Sequence, residues 1–278
     1  MENKIILVVI QALSYDAAIS KMNYLNELSG KNIAELYEVN AEKTCLSKPL
    51  CEDMLEGTEL YVNAMLNHQV LKRQCEKNVF QLAREHGLKT GAAAYYWVSE
   101  AYNNESIHWI DEESKIEDHK QKIDETSNIQ YATFYSNSSY RDSDVITDSE
   151  YIRKKYDPNL LLVHLMGIEH AIFRYGINSK EYYDKIIEID NTLELIIPIW
   201  LEAGYEVIVT TEYEIEEKDK NKEKKNEVFP VLAIGEKLKE SNFESKIDKV
   251  GISDAICDVL NIKKPNKFIN CNVNGNIF

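Results

Sequence analysis

Residues 4–16, KIILVVIQALSYD, decide the fold. Lys4 to Ile10 is a short, nearly continuous aliphatic and β-branched run, the pattern of a strand buried on both faces rather than one side of a hairpin. Such strands belong to parallel sheets covered by helices. In open α/β sheets the ligand crevice lies beyond the carboxyl ends of the strands, so Gln11 stands where a first functional group would be placed. The side chain there is an amide, not an acid.

Downstream of Gln11 the pattern alternates between helical and strand-like runs. Residues 16–28 carry apolar side chains at helical spacing (Ala17, Ile19, Met22, Leu25, Leu28), with Gly30 as a stop. Ile33 to Val39 reads as a second strand. Ser47 to Leu55 reads as a helix with Ser47 at its N-cap, Pro49 in its first turn and Gly57 after it. Val70 to His86 is expected to be helical, and Thr90 to Tyr95 to be a strand of small residues. Residues 97–148 are rich in Asp, Glu, Asn and Ser with aromatic patches at Tyr131 to Tyr135, which predicts an insertion or cap over the sheet edge. Asp148 to Tyr156 follows as a helix and Leu160 to His164 as a strand. The longest predicted helix is Asn178 to Ala203, with Asn178 and Glu181 spaced as a capping box and Pro198 expected to bend it. Glu206 to Thr211 and Val231 to Ile234 are further buried strands. The charged stretch 214–227 between them reads as a solvated loop, and Ile252 to Leu260 as a last short helix. The alternation predicts one α/β domain over 1–278: a doubly wound, mostly parallel sheet with helices on both faces.

Composition excludes some partners. The 278 residues carry a formal net charge of -15, which argues against a nucleic-acid partner because phosphate backbones require clustered positive charge. The apolar run before Gln11 is too short for a membrane span or a signal segment, so a cytoplasmic protein is expected. The five cysteines, Cys45, Cys51, Cys75, Cys257 and Cys271, are odd in number and lack CxxC spacing, which suggests neither a disulfide framework nor a thiolate zinc site.

The order of segments KIILVVIQALSYDAA, LSKPLCEDMLEGTELYVNAMLNH, LLLVHLMGIEHAIFRYGINSKEY, YEVIVTTEYEI and VGISDAICDVLNI resembles the alkaline phosphatase superfamily. Its type I phosphodiesterase and nucleotide pyrophosphatase branch is the most similar. The resemblance implies a two-zinc site for phosphoryl transfer at the carboxyl edge of the sheet, with the metals clamping the attacking and leaving oxygens. It implies that Ser47 occupies the nucleophile position and Asn67 that of a phosphate-binding amide. The implied metal positions have fared worse. The first carboxylate is Gln11; an aspartate and a histidine four residues on are Glu169 and Phe173; an adjacent Asp and His are Glu212 and Tyr213. The last histidine should fall in 214–227, where none exists.

Zinc takes about four ligands, usually with imidazoles or thiolates among them. Glu169 and Glu212 leave room for a single hard divalent cation held weakly with the help of substrate phosphate. The family's two zinc ions are not expected. His164 lies within a strand and reads as a core residue, His170 is one residue off the ligand register, and His68 adjoins Asn67. The resulting expectation is a phosphodiesterase-like protein that has lost most of its metal ligands and binds a phosphate-containing ligand or a protein partner without turnover. The alternative is a weak phosphate ester hydrolase using Ser47 as nucleophile.

Overall fold

The structure is a computed structural model that describes residues 3–40, 78–103, 119–137, 139–211, 228–240 and 249–263. Its centre is β1 (Lys4–Ile10), flanked in parallel by β6 (Leu160–Leu165) and β7 (Tyr205–Thr210). The eight-stranded sheet also holds β2 (Ala34–Asn40), β3 (Thr90–Tyr95), β4 (His119–Ile123), β5 (Tyr131–Tyr135) and β8 (Val228–Ile234). Its order is β2-β8-β7-β1-β6-β3-β5-β4. The mostly parallel sheet is therefore present. β8 runs against both its neighbours, β2 and β7, and the edge strand β4 runs against β5.

Every side chain from Ile5 to Ile10 is buried, because helices cover both faces. Ile5, Leu7 and Val9 pack with α3 (Val79–Glu85), α4 (Trp97–Tyr102) and α9 (Lys249–Leu260). Ile6, Val8 and Ile10 pack with α1 (Tyr15–Lys21), α2 (Asn23–Gly30), α5 (Asp142–Tyr156), α6 (Gly167–Tyr175) and α7 (Lys180–Glu202). One further short helix, α8 (Glu236–Glu240), follows β8.

Several boundaries differ from the sequence expectation. The first helical stretch is broken at Met22 into α1 and α2, and Gly30 lies inside the last turn while the left-handed residue is Asn32 (φ 56°). Helix α3 opens at Val79 behind Asn78, whose side chain accepts from Gln81 N while the Gln81 side chain accepts from Asn78 N, a capping box that fixes this start; residues 70–77 of the expected helix lie outside the described residues. Helix α7 is capped by Ser179, which accepts from Tyr182 N, because Asn178 is itself left-handed (φ 62°). It runs on through Pro198 to Glu202.

Within 97–148, β5 corrects the expectation of a cap. It pairs in parallel with β3 from Gly91↔Tyr131 to Tyr95↔Tyr135 and is buried throughout, so its aromatic patch is part of the sheet. Helix α5 begins at Asp142, six residues before the expected Asp148. Among the described residues no helix is long and apolar enough to cross a membrane.

Candidate functional site

The carboxyl ends of β1, β6, β3, β5 and β7 meet along one edge. At its centre Gln11 N donates to Leu165 O at 2.8 Å, continuing the parallel ladder by one residue. The chain then turns through Ala12 (φ 64°), and Leu13 N donates to Thr211 Oγ1 at 3.3 Å, which ties the turn to the end of β7. Ser14 caps α1 by accepting from Ala17 N. This turn is rigid.

The Gln11 side chain is fully buried, and neither Oε1 nor Nε2 has a hydrogen-bond partner among the described residues. An unsatisfied buried polar group costs about 1–3 kcal/mol, so an amide here is not a choice that packing alone favours. Strand alternation carries it to the same face as Val9. His164 lies on the adjacent strand and is fully buried, its ring edge-on to Trp97 at 5.3 Å between centroids. It is in the core, as expected from its place in the strand.

Helix α6 springs directly from the end of β6. Glu169, in its first turn, is buried, and its charge helps to push the phenols of Tyr95 and Tyr135 upward, behind the larger effect of their burial. Tyr135 donates its hydroxyl to His164 O at 2.8 Å. Phe173, four residues after Glu169, is 74% exposed and offers no donor atom. His170 faces Tyr95 at 6.3 Å between rings, and burial together with nearby His164 lowers its pKa, which keeps it neutral at neutral pH.

The residue that sequence reasoning missed is Asp142. It sits in the first turn of α5, and its carboxylate reaches the start of another helix: Oδ1 accepts from Gly167 N at 3.0 Å. Met166, the N-cap of α6, has no side-chain bond to give, so Asp142 supplies the cap from 25 residues away. Only glycine fits at 167, because a Cβ there would collide with Asp142 Oδ2. That second oxygen is buried without a hydrogen bond, and Lys185 Nζ lies 4.0 Å away. Burial pushes the Asp142 carboxyl up to about 6, against the pull of Lys185 and the Gly167 N–H.

Asp142 also lines a cavity of about 460 Å³ between the start of α5, the outer side of α6 and Lys185 of α7. Tyr140, His170, Arg174 and Tyr175 form much of the rest of its wall. This volume lies in the range of small-molecule sites, about 300–1,000 Å³.

The expected site residues divide into two groups. Gln11 and Glu169 both lie at the strand edge, with no hydrogen bond between them. Ser47, Asn67, His68, Glu212, Tyr213 and the stretch 214–227 lie outside the described residues. Among the described residues no three His, Cys, Asp or Glu side chains gather as a metal-holding group. The described residues thus bring one carboxylate, Glu169, and one neutral amide, Gln11, to this edge.

No protein-family model matches the sequence, and comparison with curated proteins gives no match. Solved structures do match. The alkaline phosphatase from the Antarctic bacterium TAB5 superposes with a TM-score of 0.63 at 9% identity, covering 95% of this chain and 99% of that one. The C-terminal periplasmic domain of EptC from Escherichia coli gives 0.60 at 10% identity, over 94% and 83%. Murine ectonucleotide pyrophosphatase/phosphodiesterase 5, in an inactive form in complex with AMP, gives 0.55 at 13% identity over 77% of this chain. The match spans only 57% of the length of that protein. The EptC domain has also been solved with zinc, and a variant of the TAB5 enzyme with magnesium. The fold is alkaline phosphatase-like.

Proposed function

We propose, from an alkaline phosphatase-like fold whose central strand ends in a buried amide, that this protein is a phosphodiesterase/nucleotide pyrophosphatase-like binder that has lost phosphoryl-transfer chemistry. Gln11 carries the reading. It is buried where the resemblance implies a metal-holding carboxylate, and a neutral amide contributes no charge to hold or balance a dication. Phe173 supports it, since an exposed ring cannot replace an imidazole. In this reading the occupant of the strand edge is a phosphate-containing small molecule or a protein partner. Nucleic acid is disfavoured by the net charge of -15. A cytosolic setting without a membrane partner belongs to the same proposal, supported by cysteines that are odd in number and lack CxxC spacing.

A second reading rests on Glu169, a buried carboxylate at the edge. With Glu212 it would hold a single divalent cation beside Ser47 and Asn67, giving a weak phosphate ester hydrolase. Its difficulty is chemical: a serine hydroxyl without an activating base or metal is a poor nucleophile at neutral pH.

One experiment separates the two. Untagged protein is equilibrated with zinc, manganese or magnesium, freed of unbound ion, and analysed for metal content and for hydrolysis of bis(p-nitrophenyl) phosphate. The expected result is substoichiometric metal and turnover no greater than that of the Ser47→Ala variant. One or two ions per chain, with turnover abolished by Ser47→Ala, would overturn the binder reading in favour of the hydrolase.

A further inference from the structure

The cavity on the outer side of α6 goes beyond that reading, because its features do not depend on the chemistry at the strand edge. Three cationic side chains line it: Arg141, Arg174 and Lys185. Two are answered by their own helices. Arg141 makes a two-pronged contact with Asp144, Nε to Oδ2 at 3.0 Å and Nη2 to Oδ1 at 2.9 Å. Lys185 Nζ bonds Glu188 Oε2 at 2.7 Å. Arg174 has no ion-pair or hydrogen-bond partner among the described residues, on a chain whose net charge is -15. A guanidinium presents a planar fork of donors that matches a phosphate or carboxylate. The wall thus offers one uncommitted oxyanion-binding group.

Asp142 offers the opposite. Its Oδ1 is committed to Gly167 N; Oδ2 is buried with no hydrogen bond, 4.0 Å from Lys185 Nζ, just behind the wall that Asp142 helps to line. A buried acceptor of this kind is satisfied by an N–H or O–H donor. Tyr140 gives the cavity a fixed side: its hydroxyl donates to Asp148 Oδ2 at 2.6 Å and its ring stacks on Tyr135 at 5.4 Å. A wall held in this way before binding loses little freedom when a ligand arrives.

We propose that this cavity binds a small zwitterion, its oxyanion on Arg174 and its ammonium or hydroxyl donor on Asp142 Oδ2. The shared chemistry is a short amine-bearing oxyanion, and a phosphate or a carboxylate would supply the negative end.

Isothermal titration of the full chain tests it with 2-aminoethyl phosphate and with β-alanine, alongside inorganic phosphate and ethylamine as single-ended controls. At least one zwitterion binds about tenfold or more tightly than either control, as expected if two charge-assisted contacts act together. The zwitterion that binds identifies the source of the oxyanion. Arg174→Met, a change at an exposed side chain, weakens it by about tenfold or more. Asp142→Asn keeps an acceptor for Gly167 N and weakens the zwitterion while leaving inorganic phosphate unchanged. Circular dichroism establishes that both variants are folded. Binding of neither zwitterion, or equal binding by wild type and both variants, overturns the proposal. Zwitterion binding abolished by Ser47→Ala but untouched by Arg174→Met also overturns it, and moves the ligand to the strand edge in support of the binder reading.

Discussion

Among the described helices that start without a side-chain cap of their own, α2 and α6 each borrow one from another helix. Met22 precedes α2 and Met166 precedes α6, and neither gives a side-chain bond to its helix. For α2 the cap is Asp190 of α7, whose two oxygens accept from Tyr24 N at 2.8 Å and Leu25 N at 3.2 Å. For α6 it is Asp142 of α5, which spends only Oδ1, on Gly167 N. The device is the same, a buried carboxylate at the positive end of a helix dipole. The difference is what is left over. Asp190 is consumed by the fold, whereas Asp142, a residue that lines a cavity, keeps one buried oxygen without a hydrogen bond. Gln11 extends the series, with neither polar atom partnered among the described residues. Along that series the fold explains progressively less, and its last member stands at the carboxyl edge, where ligands bind in sheets of this class.

The strongest test of the comparison removes the fully committed cap. Asp190→Ala leaves the buried Leu25 N–H and the half-buried Tyr24 N–H without acceptors at the start of α2, and the expected loss is about 3 kcal/mol, roughly 2 for the buried donor and roughly 1 for the half-buried one. Urea denaturation measures it. A loss under about 1 kcal/mol would mean that water satisfies those groups as readily as the carboxylate does.

Asp142 should behave differently because its carboxyl is raised to about 6 in the folded chain from an ordinary value of 3.8. Between those two pH values the folded state holds a proton that the unfolded state has released, so this group's contribution to stability falls as pH rises from about 4 to about 6. The full effect is about 3 kcal/mol, from a shift of about 2 pH units at 1.36 kcal/mol each. Other carboxylates superimpose their own slopes, so the measurement is a difference. Asp142→Asn should gain on wild type across that window and hold its advantage above it. A flat difference from pH 4 to 7.5 would show that the carboxylate is solvated in solution, and the contrast with Asp190 would vanish.

Gly167 sharpens the same contrast from the other partner. Gly167→Ala drives a methyl into Asp142 Oδ2, and overpacking of this kind costs about 2 kcal/mol. Gly30, in α2, has open space around it, so Gly30→Ala should be neutral or stabilise by about 0.5 kcal/mol. Thermal unfolding of the two variants side by side gives the answer. Equal effects would mean that α6 adjusts its start as freely as the end of α2.

Much of the sheet was legible because burial on both faces writes itself into local sequence: Lys4 to Ile10, Thr90 to Tyr95 and Leu160 to His164 are all strands within a residue of their expected limits. The walls of the cavity were not legible, and the reason is physical. Helix α5 opens behind Arg141, a residue with no capping side-chain bond, and α6 opens behind Met166, so neither carries a local start signal. The cap of α6 arrives through tertiary structure, across 25 residues of sequence, and no spacing rule reveals it. The capping box at Asn78 and Gln81 was readable but hidden by an apolar period continuing from Val70. The aromatic patch at Tyr131 to Tyr135 misled for a related reason. A five-residue strand set in polar surroundings resembles an insertion until its pairing with β3 is known. Of the candidate site, the resemblance picked out Gln11 and Glu169 as edge residues, while Asp142 and Arg174 entered only through geometry.

The smallest effect expected at a buried polar group concerns Gln11, and it separates two meanings of an unsatisfied amide. If the fold merely tolerates Gln11, replacing it with a side chain of similar length and no polar group removes the unsatisfied group, and Gln11→Met stabilises by about 1 kcal/mol. If a ligand normally satisfies the amide, Gln11→Met stabilises the isolated chain by the same amount but abolishes the rise in melting temperature that the ligand produces. AMP is a suitable probe, because ligand that binds only the folded state raises stability in proportion to the logarithm of its concentration. Measured with and without AMP, the two cases differ only in the second column of melting temperatures. A wild-type shift that survives in Gln11→Met would remove Gln11 from the binding surface. It would leave the contrast between Asp190 and Asp142 to stand alone as the mark of where this fold keeps polar groups in reserve.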